Sequence, residues 1–344
     1  MDILSFIEKS PKAELHSHID GGLRVQTIID LAKKHDVSLP DYDYHTLKPK
    51  LQIDKSCKSL VEYFKPFEYT INVMQTEDAL ERVMYEFLED SSNQNTKYIE
   101  ARFSPALHLK KGLSLNKVMD ALIRGKKQAE KAFNIKSNII VCGLRQNPDQ
   151  ANKELAQLAV DYKNKGVAAF DLAGEELGRP AKNHVAAFEI AIKNNLFRTV
   201  HAGEADGAHS IADSIHFLGA HRIGHGTHLY EDNDLLNYVI DRQIALEVCL
   251  TSNMQTKSVA NLNNHPLPTY FAKNVPVTIN TDSTLISATT ITHELVLAYE
   301  LFNFSPADLS KIILNGFEHA FLPYDIKQDL LSAAKTEINE LLKH

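Results

Sequence analysis

A chain of 344 residues with 44% hydrophobic and 24% charged residues has the composition of a folded globular protein. This excludes a disordered chain, a collagen-like repeat and a disulfide-stapled miniprotein. The formal net charge of -7 excludes a chain-wide basic footprint for nucleic acid. Cys57, Cys142 and Cys249 are odd in number and widely spaced, which suits a reducing compartment better than a disulfide framework or a CxxC metal site. The start, MDILSFIEKSPK, lacks the basic run of a secretory signal. No stretch reaches the roughly 18–20 apolar residues of a membrane span. A cytoplasmic protein without membrane or nucleic-acid partners is expected.

In chain order, short apolar runs alternate with amphipathic stretches. The runs are AELHSHI (13–19), YIEARFSP (98–105), NIIVCGLRQ (138–146), VAAFDLAG (167–174), RTVHAGE (198–204), RIGHG (222–226), IALEVCLTSN (244–253) and PVTINTD (276–282). Their length and β-branched content predict buried strands. Helical stripes are predicted over 79–88, 115–133, 152–162, 184–192 and 232–241. Strands alternating with helices imply right-handed βαβ units. Eight of them point to an α/β fold, a closed (β/α)8 TIM-type barrel. An open doubly wound sheet is the alternative, but no GxGxxG follows the first strand. Residues of about 24–95 read as a helical insertion over the barrel mouth, within a single unit spanning 1–344. The stretch 290–342 reads as helical throughout, packed outside the barrel.

The active face of such a barrel lies at the C-terminal strand ends. There the chain places His16, His18 and Asp20, then Arg102 and Ser104, Asp171 and Gly174, His201 and Glu204, and His225. The seventh run carries Glu247 and ends in Thr251-Ser252-Asn253, and the eighth ends in Asp282-Ser283. His16 and His18 share one strand face and lie about 6–7 Å apart along the chain, close enough to grip one metal ion. His201 and Asp282 would complete an N/O donor set that zinc accepts, as do iron, cobalt and manganese. Glu204, three residues beyond His201, is either a proton shuttle or a helix-capping carboxylate. His225 sits between two glycines that permit close approach. Asp171 reads as a partner orienting a ligand. Most of the 16 histidines, His108 and His265 among them, fall in helices or loops away from this pattern.

With these residues placed, the chain resembles the adenosine deaminase family of the amidohydrolase superfamily. The segments that carry the resemblance are KAELHSHIDGGL (12–23), YIEARFSP, FDLAGEE (170–176), RTVHAGE, RIGHGTHL (222–229), EVCLTSNMQT (247–256) and INTD (279–282). The resemblance implies a zinc-dependent hydrolytic deaminase converting adenosine or 2′-deoxyadenosine to the inosine product and ammonia, in purine metabolism. It implies one Zn2+ per chain on His16, His18, His201 and Asp282. No lysine on the fourth strand is available to bridge a second metal. Glu204 is then the acid at purine N1, and His225 the base or electrostatic partner of the attacking water. Gly174 contacts N3 and Asp20 the ribose 5′-hydroxyl. Asp20 stands where related adenine deaminases usually carry Glu, which favours a nucleoside over the free base, and it would repel a 5′-phosphate. Leu60, Tyr63 and Phe67, with Phe64, resemble the family's apolar gate.

One position departs from the best-known pattern. Ser283 replaces a second carboxylate that contacts N7. A missing hydrogen bond there costs roughly 0.5–1.5 kcal/mol, about tenfold in rate. The same chemistry on adenine or an N6-substituted adenosine is therefore the alternative activity. An inactive nucleoside-binding protein is the alternative of another class, and it would lack a ligand or Glu204.

Overall fold

The computed structural model describes residues 2–54 and 56–343. Eight strands form one sheet in sequence order: β1 Lys12–His18, β2 Thr96–Phe103, β3 Lys136–Leu144, β4 Val167–Ala173, β5 Phe197–Ala202, β6 Arg222–His225, β7 Ala245–Val248 and β8 Val277–Ile279. Every neighbouring pair is parallel. The sheet closes through a parallel bridge between Ser17 and Asp282, with His18 N–H donating to Asp282 O and Asp282 N–H to His16 O. The Asn280 side chain also accepts from Leu15 N–H at 2.8 Å. This is the expected (β/α)8 barrel.

The strands are apolar because nearly every one is covered on both faces. Leu15, Ile99, Ile139, Phe170, Val200, Ile223, Leu246 and Val277 are fully buried. The helices Leu115–Ala132, Asp149–Asp161, Val185–Lys193 and Asn233–Asp241 fill crossovers close to their predicted spans, and Ala208–His216, which was not among the predicted stripes, fills the one between β5 and β6. Inside the barrel the filling is charged. Arg102 pairs with Asp171 at 3.1 Å and Glu247 at 2.8 Å. Arg222 pairs with Glu247 at 2.7 Å and with Glu100. All five side chains are essentially inaccessible to solvent. Such a network is tolerable only when each charge is both paired and hydrogen-bonded.

Between β1 and β2 lie the helices Val25–His35, Tyr44–Leu47, Leu60–Tyr63, Phe67–Val73 and Glu77–Asn93. Cys57, Leu60 and Tyr63 pack on Ile286 beyond β8, flanked by Phe64, Phe67 and Ala205. The Tyr63 hydroxyl lies 2.7 Å from Ser287 Oγ. The part of this region around residues 57–67 therefore borders the C-terminal barrel mouth.

One expectation needs correction, and the C-terminal one holds. The seventh run does not stay extended to Asn253. β7 ends at Val248 because β8 offers only three residues to pair with, and Leu250–Gln255 turns helical. The 290–342 stretch forms three helices: Ile291–Phe302, Pro306–Glu318 and Tyr324–Leu341. Asn303 adopts a left-handed conformation after the first, a Ser305/Asp308 capping box starts the second, and Pro323 precedes the third. No helix among the described residues is long and apolar enough to cross a membrane.

Candidate metal and purine site

The C-terminal ends of β1, β5, β6 and β8 bring His16, His18, His201, His225 and Asp282 together. One ligand atom from each of His16, His18, His201 and Asp282 lies within 4.8 Å of the others. His18 Nε2 is 3.2 Å from His201 Nε2 and 3.4 Å from Asp282 Oδ1. His16 Nε2, buried and without a hydrogen-bond partner, is 3.5 Å from the same oxygen.

The opposite ring atoms explain why these nitrogens are bare. His16 Nδ1–H donates to Glu247 at 2.8 Å, and His201 Nδ1–H donates to Asp171 at 3.0 Å. Burial opposes ionisation of both carboxylates. Arg102 and Arg222 outweigh it at Glu247, and His201 and Arg102 at Asp171, so both stay below the usual carboxylate range. An ionised carboxylate only accepts. Each imidazole therefore carries a proton on Nδ1, so that in its neutral form the lone pair on Nε2 faces the cluster. Asp282 is likewise held well below its ordinary range. Burial opposes this, but the neighbouring histidines dominate. Three converging imidazoles and one ionised oxygen fit a zinc-like cation. The orphaned His16 Nε2 is the clearest sign, because a buried acceptor without a partner is costly.

Glu204 and His225 stand beside this cluster, with Glu204 Oε2 3.4 Å from His225 Nε2. Burial, with Asp282 and Glu176 nearby, pushes the Glu204 carboxyl well above its ordinary value. Its Oε1 is buried and unpartnered. Glu204 is not the cap of the following helix. Gly207 holds that position, and Glu231 accepts from Ala208 N–H at 3.1 Å.

The His225 tautomer is set from a distance. Leu267 N–H donates to His265 Nδ1 at 3.0 Å. Burial lowers His265 to about 3, so the ring is neutral and its proton sits on Nε2. That proton goes to Asn253 Oδ1 at 3.2 Å. The Asn253 amide nitrogen must then donate to His225 Nδ1 at 3.0 Å. His225, held neutral chiefly by burial, therefore presents an N–H on Nε2. Both His225 and Asp282 hold left-handed backbone, with φ of 64° and 62°. Such conformations cost of order 1–3 kcal/mol each and persist where their surroundings dictate them.

A cavity of about 250 Å³ opens over these groups. Of the predicted contacts, Asp20, Gly174, Leu60, Tyr63 and Phe67 line it, together with Phe64. Ser283 does not: its Oγ is buried without a partner, packed so closely over Gly21 that a Cβ there would meet it at 2.4 Å. Burial raises Asp20 to about 7. Ser104, expected at the active strand ends, also lines the cavity, as do Glu68, Ile71, Leu107, Cys142, Leu144 and Gln146, which were not anticipated. The apolar ones were visible only as core-like residues. No lysine or arginine is among the lining residues.

Comparison with known proteins gives a consistent result. A family model described as adenosine deaminase matches residues 11–337. A probable adenosine deaminase of Dictyostelium discoideum is 42% identical over 324 residues, 94% of this chain and 42% of that protein. The chain thus spans less than half of that relative's length. An adenosine deaminase of Clostridium kluyveri is 40% identical over 343 residues, covering 99% of this chain and 95% of the relative. Among solved structures, an adenine deaminase from Arthrobacter aurescens superposes with a TM-score of 0.89 at 25% identity, over 97% of this chain and 100% of that one.

Proposed function

The chain belongs to the adenosine deaminase family, and from that premise we propose that it hydrolyses the 6-amino group of adenosine and 2′-deoxyadenosine, giving inosine or 2′-deoxyinosine and ammonia. The observation that carries this reading is the meeting of a four-donor cluster with a neutral buried acid, Glu204, in one cavity.

His16, His18, His201 and Asp282 would hold one zinc ion. When bound, that ion supplies Lewis-acid activation of the attacking water. The chain's residues do the rest. Glu204 enters protonated and gives its proton to purine N1 as water adds at C6. The ring then avoids carrying a full negative charge. His225 offers its Nε2–H to the attacking oxygen and acts as an orienting donor. A neutral ring already protonated there cannot act as a base at that atom. One proton of the added water restores the Glu204 carboxyl and the other passes to the amino group, so the C6–N bond breaks, ammonia leaves and C6 is left as a carbonyl. Gly174 N–H serves ring N3. Asp20, whose carboxyl is raised to about 7 by burial, can donate to or accept from the ribose 5′-hydroxyl. The apolar wall of Leu60, Tyr63, Phe64 and Phe67 excludes bulk water.

A nucleoside suits the cavity better than a nucleotide. A 5′-phosphate would lie by Asp20, with Glu68 also in the lining and no lysine or arginine there to offset them. Free adenine, the substrate named for the Arthrobacter protein, would leave Asp20 without its hydroxyl partner.

The test is ammonia release and the ultraviolet shift of the purine. Metal-analysed protein is assayed with adenosine, 2′-deoxyadenosine, adenine, AMP and N6-methyladenosine. The expected result is turnover of the two nucleosides, with AMP and adenine at least about tenfold poorer in kcat/KM. Dominant turnover of adenine or N6-methyladenosine would move the substrate and leave the chemistry. A zinc-loaded protein inert to all five would sink the reading in favour of a binding protein.

A further inference from the structure

Glu176 lies in the loop after β4, two residues beyond Gly174, and is 2% exposed. Its carboxylate accepts from four consecutive backbone N–H groups on the loop after β5: Gly203 at 2.7 Å, Glu204 at 2.9 Å, Ala205 at 2.6 Å and Asp206 at 3.2 Å. Ser210 Oγ donates to it as well, at 2.6 Å. Successive N–H groups turned toward one point make an anion-binding concavity. Here the anion is the chain's own side chain, and its hydrogen bonds are charge-assisted.

The turn so held is the one that carries Glu204. Gly203 is at φ 66°, and a Cβ there would fall 2.5 Å from Ile211 Cδ1, so the turn has no slack on its far side. Arg145, after β3, adds a second anchor by donating to His201 O at 2.8 Å. A role confined to the start of the helix Ala208–His216 does not account for Glu176. There Asp206 accepts from Gly207 N–H and Glu231 from Ala208 N–H. Apart from the Ser210 bond, the Glu176 bonds lie upstream, on the Glu204 turn itself.

We propose that Glu176 is a positioning residue that ties the Gly174 turn to the Glu204 turn and so fixes the spacing of the two groups that meet opposite edges of the purine ring. This rests on the deamination reading above, in which Gly174 serves N3 and Glu204 serves N1. Neither turn belongs to a strand ladder at that point, so the carboxylate is the direct tie between them. A small relaxation would leave the metal donors in place and misdirect the proton.

The test is Glu176→Gln, with Glu176→Asp prepared in parallel in case the first does not fold. The Gln variant keeps the length but must present an amide N–H₂ to backbone donors. The Asp variant keeps the charge but falls one methylene short. Three quantities are read: zinc per chain, kcat and KM for adenosine per bound zinc, and amide hydrogen exchange of a peptide covering 203–206, with and without metal. The expected result is kcat lowered at least about tenfold, KM within about threefold, unchanged zinc content and faster exchange at 203–206. A kcat per bound zinc within about twofold of the parent would overturn the proposal, as would a loss that tracks lost zinc or unchanged exchange. If the parent protein itself fails to deaminate any nucleoside, the functional reading fails. A parent that turns over while the variants do too removes only the role of Glu176.

Discussion

The floor and the mouth of the cavity are built from opposite kinds of interaction. The floor is a hydrogen-bonded lattice of charge. Arg102 joins Asp171 and Glu247, and those carboxylates orient His201 and His16. The mouth, along Leu60, Phe64 and Phe67, is apolar packing on Ile286 and Ala205, pinned by the Tyr63–Ser287 contact. Directional bonds at low dielectric hold atoms in place and are costly to leave half-made. Apolar contacts are weaker per pair and tolerate repacking. The molecule puts rigid construction under the reacting groups and adaptable construction over the substrate's path.

Substitutions can break this contrast, and the largest effect belongs beside the floor. Glu204→Gln removes the proton donor while keeping shape. It is expected to lower kcat by about 10²–10⁴ with zinc content unchanged, measured by steady-state kinetics and metal analysis. The pH profile carries the sign. Glu204 acts in its protonated form, and burial raises its pKa well above the ordinary carboxyl value. In the parent, kcat/KM therefore falls as pH rises past that raised value. A rate that rises monotonically with pH through the alkaline range would contradict the acid role.

Arg102→Met strands two buried carboxylates. Removing one partner of a buried charge network costs about 3–5 kcal/mol, so denaturant unfolding is expected to show a loss of that size. Weaker zinc retention should follow, because Asp171 and Glu247 no longer hold the imidazoles firmly.

Asn253→Leu cuts the chain that sets the His225 tautomer, without touching a donor of the metal cluster. About a 10–100-fold loss in kcat is expected, with KM nearly unchanged, since the ring is free to place its proton on Nδ1. Equal rates in the variant would show that the proton on Nε2 is immaterial.

The smallest effect belongs at the mouth. Phe67→Ala removes part of a half-buried apolar wall. KM should rise by a few-fold, with kcat within about twofold and stability lowered by about 1–2 kcal/mol. A kcat loss as large as that of Asn253→Leu would erase the distinction between floor and mouth.

Much of this was legible without coordinates. Strand and helix periodicities depend on neighbours a few residues apart, so eight strand runs and most of the crossover helices could be read directly, though not Ala208–His216. The His16/His18 pair was visible because period 2 puts both on one strand face. Strand-end position then selected His201, Glu204, His225 and Asp282 from a histidine-rich chain. The misread elements were those whose ends depend on partners. The seventh run looks extended through Asn253, yet its ladder ends where short β8 ends. The helical turn that follows points Ser252 at Asp282 and Asn253 at His225.

By itself the sequence determined the barrel, the family and the candidate donors His16, His18, His201 and Asp282, which the fold brings together, because local pattern and motif order are encoded in short windows. Tertiary structure alone decided how those groups are tuned. Glu176 stood unassigned inside FDLAGEE, and its five partners lie 27–34 residues away. His265 read as an ordinary histidine, and its influence on His225 passes through Asn253, 12 residues from one ring and 28 from the other. Ser283 is expected from the motif to contact substrate, yet its hydroxyl is buried against Gly21 and does not line the cavity. A tautomer, a raised pKa or a clamped turn follows from atoms within a few ångströms, and those atoms come from distant parts of the chain.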